Sequence, residues 1–239
     1  PPDNDTPVLF GAQATAACFG SDLLLTNSKD TQGKILEINP EANTSVLYGA
    51  VETPKSSLST ETLTEFKLQE DKFLVFASAL EKRKNLENIM DAYALASNKI
   101  QRMPLVIIGG PGYGFEAIYE KYLSLPDDIQ SHIIFTGYLP KAKKDALFIN
   151  ARACVFTTLY EGLGLPVVEA LAAGTPVITT RIGALPEAGM DAAFYIDNPR
   201  NVEEISQGIV TIVNDEKTRA GLMKNAPKVV RFFSSEKFN

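Results

Sequence analysis

The sequence predicts an α/β domain built on a doubly wound parallel sheet of the Rossmann-like kind. Three observations predict it. Short apolar runs of strand length recur from residue 72 onward, continuous rather than alternating, as in strands buried on both faces. Segments with apolar residues at helical spacing stand between them. Glycine-rich loops fall where strands pass into helices, which in such sheets is the side that binds ligands.

In chain order, FLVFA (Phe73–Ala77) is the first strand. Leu86, Ile89, Met90 and Tyr93 then recur at helical spacing and predict a helix over 85–97. PLVIIGG (Pro104–Gly110) is a second strand that ends in glycines. Residues 115–124 read as helix, HIIFTGY (His132–Tyr138) as the third strand and 140–150 as helix. ACVFT (Ala153–Thr157) is the next strand, and a glycine-rich loop leads from it into a helix over 165–173. TPVITT (Thr175–Thr180) and AAFYI (Ala192–Ile196) supply two more strands. Asn201 with Glu204 three residues on resembles a capping box, followed by an apolar stripe of Val202, Ile205, Ile209 and Ile212. One last helix is expected over roughly 216–230.

The first 50 residues read differently. DLLLTNS (Asp22–Ser28) and SVLYGAV (Ser45–Val51) predict strands around a helix over 29–37, one βαβ unit that is too small for an independent core. Residues 52–70 are polar, contain Pro54, and predict a linker with a short helix. The expected organisation is therefore 1–51, a linker 52–70, and a domain over 71–239.

Composition narrows the function. The 239 residues are 45% hydrophobic and 22% charged, as in ordinary globular chains. Lys+Arg 23 against Asp+Glu 29 gives a net charge of −6, which disfavours a nucleic-acid partner. His132 is the single histidine, so a His-based metal cluster and a two-histidine mechanism are excluded, and beside a strand it is expected to be structural. Cys154, inside ACVF, is expected to be a buried small hydrophobe, and with Cys18 as the one other cysteine the chain has too few for a disulfide framework. No apolar run reaches the ~18 residues of a spanning helix. The opening PPDNDTPVLF lacks the features of a signal peptide, so the expected location is cytoplasmic, with peripheral contact at the inner face of the membrane left open.

The segment richest in chemistry is EGLGLPVVEALAAGTPV (Glu161–Val177), where Glu161 and Glu169 are separated by seven residues. Gly162 and Gly164 allow close backbone approach, and Pro166 suits the first turn of a helix. Glu161 then falls in the loop and Glu169 one turn into the helix, leaning back toward the loop mouth. The expectation is two carboxylates, backbone N–H groups and a positive helix end around one cavity, a set suited to sugar hydroxyls and phosphate oxygens. A plain helix cap with a surface glutamate is the other reading of that spacing.

The segment resembles the E-x7-E motif of the retaining, nucleotide-sugar-dependent glycosyltransferases with the two-Rossmann GT-B fold. FLVFASALEKRKNLENIMDAY, LVIIGGPG, IIFTGYLP and the stretch from ARACVFTTLYEGLG to FYIDNP follow in that family's order, over residues 72–234. SDLLLTNS and VLYGAV resemble, more faintly, the end of its N-terminal domain. The resemblance implies the C-terminal, donor-binding half of a GT-B fold. It implies that Glu161 contacts the donor sugar and that Gly162, Leu163, Gly164 and Leu165 line the sugar and diphosphate site. Glu169 would hold the ribose hydroxyls, and Lys84 the diphosphate.

Two positions depart from the pattern. Ala79 stands where the family often has arginine, so Arg83 is the candidate for the second cation. Thr157-Thr158 replaces a Pro-Ser pair, keeping a hydroxyl. Ala184–Glu187 match a loop that supports the pocket floor. Gly110 and Gly112 belong to a loop near the diphosphate or base. That loop fits GxGxxA with Ala117, yet the following strand lacks the acidic residue of a dinucleotide site, and Phe115 stands where a P-loop needs lysine. No metal or cofactor is implied, so Asp3-Asn4-Asp5 is discounted as a metal motif.

The expected partners are a UDP- or GDP-linked sugar donor and a glycan or lipid-linked acceptor. The EKRKN run resembles mannosyltransferase-type members. The resemblance also implies that most of an N-terminal domain is missing, so the chain is either an inactive fragment or works with a partner chain. A non-catalytic nucleotide-sugar-binding subunit is the main alternative; an epimerase or phosphorylase on the same fold is the weaker one.

Overall fold

The computed structural model describes residues 15–55 and 59–234. The chain divides into two compact units, Pro1–Gly49 and Ala50–Asn239.

In the first unit β1 (Leu24–Thr26) pairs in parallel with β2 (Thr44–Val46), and α1 (Lys29–Ile38) connects them. Ser28 caps α1, its side chain accepting from the Thr31 N–H at 3.1 Å. The expected βαβ unit is present, but its second strand does not run on to Val51. The Leu47 N–H makes the last ladder bond, to Thr26 O at 2.7 Å, and there the partner strand ends.

The second unit begins with α2 (Ser59–Glu65) and continues with β3 (Leu74–Ala77), a 3₁₀ turn (Lys82–Lys84), α3 (Leu86–Ala96), β4 (Leu105–Ile108) and α4 (Phe115–Ser124). Then come α5 (Asp127–Gln130), β5 (Ile133–Gly137), α6 (Lys141–Asn150), β6 (Ala153–Phe156), α7 (Leu165–Ala172) and β7 (Val177–Thr180). The unit closes with α8 (Leu185–Gly189), β8 (Ala193–Ile196), α9 (Val202–Asn214), α10 (Glu216–Met223) and α11 (Ala226–Phe232).

Six strands form one parallel sheet in the order β5-β4-β3-β6-β7-β8. The chain starts in the middle, steps outward to β5, crosses over, and steps outward the other way from β6. This is the doubly wound order, and its direction reverses between β3 and β6. Every residue of β3, β4, β6 and β7 is buried, which is why β3, β4 and β6 are apolar throughout rather than alternating; β7 ends on Thr179 and Thr180, whose hydroxyls donate to the Phe156 and Thr158 carbonyls. Phe76 and Phe156 stack at 5.8 Å between ring centres across the two central strands. On one face α3 packs against α4 and α9; on the other, α6 packs against α2 and α7, and α7 against α11.

Several local expectations need correction. The last helix is two, α10 and α11, because Pro227 cannot donate to the turn before it and must stand in a first turn. Within the stretch expected as a linker with a short helix, α2 spans Ser59–Glu65, Thr62 and Leu68 are buried, and Glu65 pairs with Lys143 at 2.6 Å. Helices α5 and α8 are too short to leave a periodic signal. Asn201 does cap α9, accepting from the Glu204 N–H at 3.1 Å, but the Glu204 carboxylate accepts from the Asp197 and Asn198 N–H groups rather than from that of Asn201.

Cys154 is fully buried and unpaired, and burial pushes its thiol well above the ordinary range; Cys18 is also a buried free thiol. His132 is half-buried, with Nδ1 2.9 Å from the Asp128 carbonyl. Among the described residues no helix is long and apolar enough to cross a membrane. Asp3-Asn4-Asp5 lies outside the described residues.

Candidate functional site

The candidate site stands where the strand order reverses, at the carboxyl ends of β3 and β6. Crevices for ligands open there in sheets of this kind. The loop after β3 carries Glu81, Arg83 and Lys84, and the loop after β6 carries Thr157 to Gly164. The Leu159 N–H donates to Arg83 O at 2.9 Å, so the two loops are joined through their backbones.

The strongest feature is an ion pair between these loops. Lys84 Nζ donates to Glu161 Oε1 at 2.5 Å, with 5% and 7% of the two residues exposed. Lys84 Nζ also stands 5.6 Å from the centre of the Phe156 ring. Arg83 reaches the other carboxylate oxygen, Oε2, at 3.3 Å and gives its Nε to Glu81 at 2.7 Å, but its side chain is 47% exposed. Exposed pairs are worth at most about 1 kcal/mol, whereas breaking a buried one costs about 3–5 kcal/mol. Lys84 therefore fixes Glu161, and Arg83 adds charge at the rim.

Asn85 carries the geometry of this corner. It adopts the left-handed region at φ 65° between the 3₁₀ turn and α3. Its buried Nδ2 donates to Thr157 O at 2.8 Å and to Pro199 O at 2.6 Å. The residue thus ties the β3 loop to β6 and to the segment before α9. Sequence reasoning missed it. The signal available was an asparagine between a basic run and an amphipathic helix, which reads as an ordinary N-cap. Thr157 and Thr158 are fully buried at the end of β6, and neither hydroxyl has a hydrogen-bond partner among the described residues.

A cavity of about 440 Å³ opens at the carboxyl ends of β3 and β4, and neither Lys84 nor Glu161 is among the residues that line it. Ser78, Ala79, Gly109, Gly110, Lys144 and Glu169 help to line it. Gly109 sits at φ 145°, and a Cβ there would lie 1.8 Å from Ser78 O, so only glycine lets β4 end so close to the β3 loop. The cavity wall includes Gly110 but not Gly112, which packs on Glu81 and Leu80. Ala79, where the resemblance leads one to look for arginine, lies on that wall and leaves it open.

The loop before α7 holds the remaining candidates. Gly164 is at φ 87°, and a Cβ there would meet Leu185 Cδ2 at 2.6 Å. Leu185 is fully buried in α8, so the Ala184–Glu187 segment does support the loop from below. Leu163 is buried, Gly162 is half-buried and Leu165 is exposed. Glu169 projects from α7 into the cavity wall, where Lys144 on α6 donates to its Oε1 at 2.8 Å. The expectation that both glutamates face one cavity needs correction: Glu169 lines it, and Glu161 is committed to Lys84. The Lys84 partner was invisible in the sequence because 77 residues separate it from Glu161.

The sequence profile of the family described as glycosyl transferases group 1 matches residues 61–229. The chain belongs to that family. It is 30% identical over 158 residues to the O-antigen chain mannosyltransferase B of Escherichia coli, covering 66% of this chain and 41% of that protein. It is likewise 30% identical over 162 residues to the poly(glycerol-phosphate) alpha-glucosyltransferase of Bacillus subtilis, covering 67% of this chain and 23% of that one. The chain thus spans well under half the length of these two relatives. Among solved structures, Anabaena HepE in complex with UDP-glucose superposes with a TM-score of 0.84 at 17% identity, covering 100% of this chain and 67% of that one. At that identity the likeness establishes the fold, the half of a GT-B glycosyltransferase that the sheet order describes.

Proposed function

We propose that this group 1 chain carries the donor site of a retaining hexosyltransferase, which moves a hexose from a nucleoside-diphosphate sugar to a glycan or lipid-linked acceptor. The observation that carries the reading is the buried Lys84–Glu161 pair at the switch point, taken with the cavity at the ends of β3 and β4 that Gly109, Gly110 and Glu169 help to line. Cations there suit a diphosphate, carboxylates suit sugar and ribose hydroxyls, and a backbone free of side chains lets the phosphates approach.

In this reading Lys84 and Arg83 hold the diphosphate and offset the charge that develops as it leaves. Glu161 orients the sugar and Glu169 the ribose. Gly162, Leu163, Gly164 and Leu165 bring the loop and the N–H end of α7 to the sugar-phosphate junction. The bond from the anomeric carbon to the diphosphate oxygen breaks, and the acceptor oxygen bonds to that carbon from the same face. The acceptor proton passes to the departing diphosphate. The protein's contribution is positioning and charge stabilisation. The kinship with mannosyltransferases supports mannose as the first sugar to test.

Calorimetric titration with UDP, GDP and ADP tests the reading. Binding of at least one, lost in Glu169→Ala, is expected. Binding of none, or an unchanged affinity in the variant, overturns it. Donor hydrolysis and transfer, assayed with and without candidate partner chains, separate an enzyme from a binding subunit.

A further inference from the structure

The first turn of α6 breaks a general rule. Positive charge is disfavoured at the N-terminus of a helix, yet Lys141, Lys143 and Lys144 all stand there, with no acidic residue in that turn. Each lysine has a carboxylate partner. Lys141 pairs with Asp145 at 2.7 Å, on its own helix, and the Asp145 hydrogen bond raises its pKa. Lys143 pairs with Glu65 at 2.6 Å, which fastens α2 to α6. The first lies within α6 and the second joins two helices. Lys144 differs, because its partner is Glu169 at 2.8 Å and both residues line the 440 Å³ cavity.

The pair is also the least exposed of the three: Lys144 and Glu169 are 24% and 28% exposed, and Lys144 Nζ stands 6.0 Å from the centre of the Phe148 ring. Helix α6 makes the crossover from β5 to β6 and α7 follows β6, and this bond links them at the cavity wall. A carboxylate that must accept from two vicinal hydroxyls gains from being held in one orientation. Lys144 supplies that hold through Oε1.

We propose that Lys144 is a positioning residue that sets the discrimination of the site for a ribose over a deoxyribose nucleotide, acting through Glu169. This rests on the donor-site reading above, and the test separates the two. The full chain and its Lys144→Met and Lys144→Arg variants are titrated with UDP, GDP and their 2′-deoxy counterparts, after circular dichroism has checked each fold.

For the nucleotide that binds the native chain, Lys144→Met should raise the ribose Kd about tenfold while the deoxy Kd changes less than about twofold. The preference for ribose then falls toward one, and Lys144→Arg restores most of it. If Lys144→Met weakens both nucleotides equally, or leaves their ratio as it was, the positioning role is wrong while the donor site stands. A native chain that binds no nucleotide overturns the donor site, and this inference with it. Should Lys144→Met fail to fold, the ratio in Lys144→Gln, which keeps a donor without the charge, gives the same decision.

Discussion

Lys84 Nζ and Glu161 Oε1 meet at 2.5 Å across the reversal point of the sheet, joining the loop after the first strand of the domain to the loop after its fourth. Both side chains are buried, so the pair is a matched set: each charge is tolerable only because the other is there.

That relationship makes a stability prediction. Lys84→Met leaves Glu161 buried against an apolar chain and should cost about 3 kcal/mol in urea unfolding. The double variant Lys84→Met/Glu161→Met should recover most of the loss, since paired apolar replacements of a buried ion pair are often neutral. If the single and double variants are equally destabilised, the two residues are not coupled.

Arg83 should behave in the opposite way. Its side chain is 47% exposed and its contact with Glu161 is long, so Arg83→Ala should leave the unfolding midpoint unchanged. Its loss should instead weaken nucleotide diphosphate binding, and the weakening should shrink as salt is raised. Equal effects on stability and binding would show that Arg83 is structural.

Gly164→Ala combines two costs, a left-handed backbone at φ 87° and a Cβ 2.6 Å from Leu185 Cδ2. The backbone term alone is about 1–2 kcal/mol. Adding Leu185→Ala removes the clash but not the backbone strain, so it should not restore the melting temperature. Restoration would mean that the contact, and not the φ angle, requires glycine.

The course of the chain through the sheet was legible because buried parallel strands are apolar at every position. Phe73–Ala77, Pro104–Gly110 and Ala153–Thr157 each announce a strand of the sheet, and the structure trims them by one to three residues. Glu161, Gly164 and Glu169 were legible as a set because spacing within one loop and helix is a local property. The pairings were not. Lys84–Glu161 and Lys144–Glu169 each depend on two loops or helices that only the strand order brings together. Asn85 was hidden because its left-handed backbone and its two carbonyl partners are tertiary facts behind an ordinary dipeptide. The break at Pro227 was written in the sequence, but the apolar positions on either side of it masked it.

The alkaline limit of stability should depend on Tyr195. Burial raises its hydroxyl from 10.0 to about 12, against a smaller lowering by Arg181, whose guanidinium lies 4.5 Å from the ring centre. The hydroxyl donates to Met190 O at 2.9 Å. A folded value above the unfolded one means that the contribution is fully present below pH ~10 and is lost as the pH rises toward ~12. Tyr195→Phe should flatten the fall in unfolding free energy across that window. An identical pH profile in the variant would contradict the assignment.

The most direct test of the central claim is titration of GDP-mannose and UDP-glucose into the native chain and into Lys84→Met/Glu161→Met, the variant expected to keep the fold without the charges. Saturable binding of at least one sugar nucleotide to the native chain, reduced at least about tenfold in the double variant, is the result predicted. Absence of binding to the native chain, or equal binding to the folded double variant, would contradict a donor site at the Lys84–Glu161 pair.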